Sequence, residues 1–206
     1  MSGLREEILQ AQRTRSDLLK WKLVLVGGIG AAGLGLAGSD VPGHADLVLA
    51  AIPLVCLYVD LLCRHLSLRI LVIGTFLRDP PDQELGEAAL IRKYEEYAED
   101  ARNLRLDRHR ALRRAFGVGR TANAFALEDW ALSGSTITLS LAILAYGVFA
   151  AIDADADLTL ATPFLSSGVF GALVTLAAKV SFTTRADAVK KLTPGRTDAR
   201  GEEPVS

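Results

Sequence analysis

Cysteine is nearly absent from this chain: Cys56 and Cys63 are the only two, and no CxxC or Cys/His array accompanies them. That excludes a structural metal site of the usual kind. The pair stands seven positions apart in one apolar stretch. On one helix their thiols would lie roughly 10 Å apart, too far for a bridge, so both read as small buried hydrophobes. Missing as well are GxxxxGK[ST], GxGxxG in a nucleotide-fold setting, HExxH, GxSxG and any carboxylate-rich metal motif. Asp153, Asp155 and Asp157 alternate, but without the glycine and closing glutamate of a calcium loop they make a solvated acidic turn. The expectation is a protein with no catalysis and no cofactor of its own.

Charge is lacking from three long blocks, and basic charge is lacking from two connections. Half of the residues are apolar, and they gather into long runs instead of recurring at helix or strand period, which points to a membrane protein. No charge falls within Leu23 to Ser39, Ala131 to Ile152 or Leu158 to Ala178, and a span needs about 17 to 25 residues. Trp21 and Trp130 stand at the openings of the first two runs, where interfacial anchors belong. Pro163 falls near the start of the last, where a missing amide hydrogen costs little. A further apolar run begins at Leu47, meets Asp60, and continues past Arg64, His65 and Arg69 to Leu77. As one helix from Ala45 it would be close to 50 Å long, so its second half must leave the bilayer or lie along its surface.

All 23 Lys and Arg fall in Arg5 to Lys22, Arg64 to Arg120 and Lys179 to Arg200, whereas Ser39 to Asp46 and Asp153 to Asp157 carry acids and none of them. The positive-inside rule then puts both termini in the cytoplasm with four crossings. The predicted fold class is therefore all-α: a polytopic protein with four transmembrane helices and a helical cytoplasmic loop between spans two and three. Its expected segments are a cytoplasmic amphipathic N-terminal helix (1–22), a transmembrane hairpin (23–77), the cytoplasmic loop (78–130), a second hairpin (131–184) and a polar tail (185–206). The charged start of the chain lacks the apolar core of a cleavable signal, so the first span serves as an uncleaved anchor. The Ala/Leu/Arg/Gly-rich composition suggests a bacterial inner membrane. Within the loop, Glu84 to Arg114 reads as one amphipathic helix, with Leu90, Tyr94, Tyr97, Ala101 and Leu104 at three- and four-residue steps after the stop at Asp79-Pro80-Pro81.

Four groups of residues are candidates for function. Gly27, Ala31 and Gly35 recur every four residues in span one, a small-residue stripe that lets helix backbones approach, within the chain or between copies. At the inner end of span two stand Asp60, Arg64, His65 and Arg69. Asp60 and Arg64 can neutralise each other at i,i+4, or the group can form a proton- or ligand-sensitive gate. Helical spacing puts Asp60, Arg64 and Ser67 on one face and Tyr58, His65 and Arg69 nearly opposite. Ser167, Gly171, Thr175 and Lys179 make a small or polar face on span four, and a serine/threonine cluster from Ser133 to Ser140 opens span three. Such faces line a water path or hold helices together by hydrogen bonds. Last, Arg102, Arg105, Arg108, Arg110, Arg113 and Arg114 form a basic patch suited to anionic lipid head groups, or to a phosphorylated or nucleotide ligand. Nucleic acid is not expected, because the patch has no aromatic stacking surface.

In this layout the chain is similar to small bacterial membrane effectors of the SLATT type, which join paired transmembrane helices to cytoplasmic helices, although four spans are predicted here where those have two. The resemblance implies a membrane-perturbing effector. Partners expected from the sequence are the lipid bilayer, anionic lipid, further copies of the chain, and a cytoplasmic protein or nucleotide ligand. The leading expectation is a self-associating, regulated pore or membrane-perturbing effector; a scaffold that recruits a cytoplasmic partner is the second, and an intramembrane enzyme or transporter using Asp60 the third.

Overall fold

The structure is a computed structural model, and it describes residues 2–35, 45–78, 87–103, 124–152 and 158–191. Every regular element among them is helical: α1 (Ser2–Gly33), a 3-10 segment (Ala45–Ala51), α2 (Ile52–Arg78), α3 (Glu87–Asn103), α4 (Ala124–Ile152) and α5 (Leu158–Val189). Among the described residues three helices are long and apolar enough to cross a membrane: Leu47–Arg78, Asp129–Ile152 and Ala161–Val189. The first joins the 3-10 segment to α2 without a break, with Pro53 at the second α-helical position, where proline is tolerated.

The first predicted span is shorter than its apolar run. α1 stops at Gly33, and Gly35 adopts a left-handed φ of 72°, its amide bonded to the carbonyl of Ala32 at 3.1 Å. This is a glycine helix stop, a conformation that costs glycine little and other residues more. The apolar part of α1, Leu23 to Gly33, thus spans about 16 Å, near half of a hydrocarbon core. Of the run to Ser39, residues 36–39 lie outside the described ones. Among the described residues there are thus about three membrane-length helices where four were expected.

The chain divides into two compact units. One takes α1 up to Thr14, α2 from His65, α3, and α5 from Ser181; we call it the α3 unit. Its core is Phe76, Leu90 and Tyr97, with Leu4, Val72 and Tyr94 packed on them. Phe76 meets Tyr94 edge-on at 5.5 Å and Tyr97 at 5.8 Å, contacts worth about 0.5–1.5 kcal/mol each beyond burial. This explains the apolar stretch from Leu66 to Leu77: it continues α2 and supplies the core of the α3 unit. Charged residues of α3 such as Arg92, Lys93 and Glu96 are exposed, as the period of the sequence requires.

The other unit takes α1 from Arg15, α2 up to Arg64, α4, and α5 up to Val180. It holds an apolar cluster of Leu49, Ile52, Cys56, Ile143 and Phe164, yet it departs from a water-soluble bundle in what else it buries and exposes. Lys22, Asp60, Arg64, Asp129, Thr136 and Thr175 are buried, while Leu23, Phe149, Ile152, Phe170 and Leu173 are each more than half exposed. Apolar side chains outward and charges inward is the arrangement that lipid selects.

Candidate functional site: a polar interior held by two ion pairs

Each tryptophan of the chain has a charged sequence neighbour, and the two side chains of each doublet go opposite ways. Trp21 and Trp130 are 61% and 60% exposed, while Lys22 and Asp129 are buried. On a helix adjacent residues diverge by about 100°, so a doublet at an interface can set a ring outward and a charge inward.

The Lys22 ammonium donates to Asp60 Oδ1 at 2.7 Å, Thr136 Oγ1 at 2.8 Å and Ser135 Oγ at 3.2 Å. Thr136 in turn donates its own proton to Asp60 Oδ2, and Ser135 donates to the carbonyl of Leu132 at 2.8 Å. Both hydroxyls therefore spend their protons elsewhere and present lone pairs to the ammonium. The second pair repeats this design. Arg64 donates through Nε to Asp129 Oδ1 at 3.2 Å, through Nη2 to Ser133 Oγ at 2.6 Å and through Nη1 to the Thr175 carbonyl at 3.4 Å. Ser133 passes its proton to the Asp129 carbonyl at 2.6 Å. Lys179 lies with its ammonium 3.2 Å from the centroid of the Trp130 ring, and its charge is felt by Asp129 and Arg64. Four helices are tied in this way: α1 and α2 to α4, and α2 to α4 and α5.

Asp60 and Arg64 do not neutralise each other. Each has its ion-pair partner on a different helix, Lys22 of α1 for Asp60 and Asp129 of α4 for Arg64, which corrects the i,i+4 pairing expected from sequence; one helical turn separates two acid–base pairs instead of closing one. The remaining gate candidates stand apart. His65 is exposed, and Arg69 pairs with Glu7 at 2.7 Å within the α3 unit. The two faces read from helical spacing are otherwise present: Asp60, Arg64 and Ser67 are buried, and Tyr58 is 65% exposed.

The face of α5 that holds Ser167, Gly171, Thr175 and Lys179 is buried. A Cβ on Gly171 would come within 2.6 Å of Ser140 Oγ and 2.7 Å of Pro53 Cβ, and one on Gly168 within 2.8 Å of the Ser140 carbonyl. Those two glycines and Gly147, which would meet Phe164 Cβ at 2.8 Å, are where the backbones of α4 and α5 approach. Gly147 and Gly168 carried no special spacing in the sequence, so this contact was not anticipated. By contrast, a Cβ on Gly27, Gly28 or Gly30 would meet nothing within 4 Å. Ala31 is half-buried, and Gly35 lies beyond the helix end, so the stripe of α1 is open in the single chain and loses its last member. The basic patch falls outside what can be described: Arg105, Arg108, Arg110, Arg113 and Arg114 are not among the described residues, nor is the side chain of Arg102.

Lys22 and Asp129 are the participants that sequence reasoning did not assign, whereas Ser133, Ser135 and Thr136 belong to the serine/threonine cluster read as a hydrogen-bonding face of span three. Lys22 and Asp129 read as flanking charges of their spans. Their one signal was the mirrored doublets, Trp-Lys and Asp-Trp, each at the end of an apolar block. No group of three or more His, Cys, Asp or Glu suited to a metal occurs among the described residues. No family model matches the chain, and no curated protein or solved structure is found to be similar to it.

Proposed function

We propose that the protein is a non-enzymatic bacterial inner-membrane protein that self-associates through α1 and acts as a regulated pore or membrane-perturbing effector. Its α3 unit is the cytoplasmic sensing element, and both termini are cytoplasmic by the positive-inside rule. The observation that carries this reading is the contrast between glycines: those between α4 and α5 are filled by neighbours, and Gly27, Gly28 and Gly30 of α1 face open space, although Gly33 at the helix end packs on Leu49. In lipid, small residues serve close helix approach, so the open stripe is where a second copy packs. The buried ion pairs would then hold the resting bundle closed, and a pore would form between copies or on release of those pairs. Four crossings require the short apolar part of α1 to count as a span through a locally thinned bilayer. The layout shared with SLATT-type effectors supports the same reading.

The test is native mass measurement in nanodiscs, with ion conductance in planar bilayers, for the wild type and a Gly27→Ile, Ala31→Ile variant. A defined oligomer and a conductance, both lost in the variant, are expected. A monomer with no conductance in either sample overturns the proposal. In that event the scaffold reading gains. It is favoured by the charged outer face of α3 and by Ile91 exposed within it, and it predicts one stoichiometric cytoplasmic partner.

A further inference from the structure

The surroundings of the Lys22 ammonium are those of a cation site. Three oxygens converge on it from two helices: a carboxylate of α2 and two hydroxyls of α4. Each hydroxyl is oriented by a bond that uses up its proton, Thr136 toward Asp60 Oδ2 and Ser135 toward the Leu132 carbonyl. No donor of the cradle competes with the occupant, and the lone pairs point inward whatever cation sits there. Asp60 and Thr136 are fully buried, while Ser135 stands at the exposed rim. An ammonium is close in size to a potassium ion and carries the same charge.

Its occupant is carried by a helix separate from those that supply the oxygens. Lys22 belongs to α1, which packs on its unit through Leu18 and Leu19 before the lysine and through Val26, Ile29 and Gly33 after it, while Leu23, Val24, Gly27 and Gly28 stand exposed. If α1 moves away, the Asp60 carboxylate stays behind in a low-dielectric interior, where an unpaired charge is strongly disfavoured. A compensating cation is then required.

We infer that Asp60, Thr136 and Ser135 form a monovalent-cation site, occupied in this conformation by the chain's own Lys22, and that sodium or potassium takes the place of the ammonium when α1 is withdrawn. The site is independent of whether the protein conducts ions. It makes the position of α1 depend on the alkali cation available to Asp60.

Full-length protein in nanodiscs tests this through thermal unfolding in sodium, potassium or choline chloride at matched ionic strength, choline being too large for the cradle. Lys22→Ala should melt several degrees higher in sodium or potassium than in choline, because a ligand that binds only the folded state stabilises it. The wild type should melt alike in all three salts, and a Lys22→Ala, Asp60→Asn variant should lose the dependence. Comparing sodium with potassium identifies the preferred ion. Lys22→Gln keeps most of the stem and undergoes the same comparison should Lys22→Ala not be recovered folded. Equal melting of the single variants in all salts overturns the inference, as does their failure to fold in every salt. So does a Lys22→Ala protein stabilised by lower pH and not by cations, since a proton would then be the occupant.

Discussion

The α3 unit is built on an aromatic and aliphatic core, whereas the other unit buries charged and hydroxyl side chains beside its apolar cluster of Leu49, Ile52, Cys56, Ile143 and Phe164, although α1, α2 and α5 each contribute to both. Phe76, Leu90 and Tyr97 make the interior of the α3 unit, an apolar core of the kind that water drives together at roughly 25 cal/mol per Å². In the other unit lipid is as apolar as leucine, so that driving force vanishes, and helices are held by close packing and by polar contacts. Gly147, Gly168 and Gly171 supply the first, and the pairs Lys22–Asp60 and Arg64–Asp129 the second. One helix can therefore change its rule midway. α2 turns charges inward up to Arg64 and builds an aromatic core by Phe76.

The largest expected effect that separates the units follows from Asp129→Ala. It removes the carboxylate that faces both Arg64 and Lys179, and leaving buried cations unpaired should cost about 3–5 kcal/mol. A paired Arg64→Met, Asp129→Leu variant should recover the part of that loss due to Arg64 in thermal unfolding in nanodiscs, since neutral packing replaces a desolvated pair at little net cost, while Lys179 keeps only its contact with Trp130. If the double variant were as unstable as the single one, the pair would matter for something other than charge balance.

Phe76 and Phe164 are each 1% exposed, in different units. Phe76→Ala should cost about 3–5 kcal/mol, the usual figure for a core phenylalanine in water. Phe164→Ala should cost less, because it forfeits packing against Tyr146 but no transfer from water. Hydrogen exchange resolved by unit measures both, and equal losses would mean that the surroundings of the two units do not differ as described.

The smallest effect concerns pH. Burial pushes the Tyr97 phenol above its ordinary value of 10.0, with the Thr75 hydroxyl opposing the shift. A phenol raised on folding holds its proton longer in the folded chain than in the unfolded one. Its contribution is thus intact below pH 10 and declines as pH climbs toward the folded value. Tyr97→Phe should flatten the alkaline limb of the α3 unit's stability and leave the other unit's unchanged, measured again by hydrogen exchange.

Helical content, the membrane character of α2, α4 and α5, and the facing of α2 and α3 were legible in the sequence, because each depends on local composition or on a period of 3.6 residues. The buried face of Asp60, Arg64 and Ser67 was readable for the same reason. Where α1 ends was not, since an apolar run through Ser39 carries no local mark that Gly35 turns left-handed. Nor was the pairing. Asp60 has a basic residue four positions away, yet it bonds to Lys22, 38 positions away, and to Thr136, 76 positions away. Local spacing determines which face a side chain takes. Which partner waits on that face depends on how four helices cross, and that is set by where glycines let backbones approach and where a buried charge must find its complement.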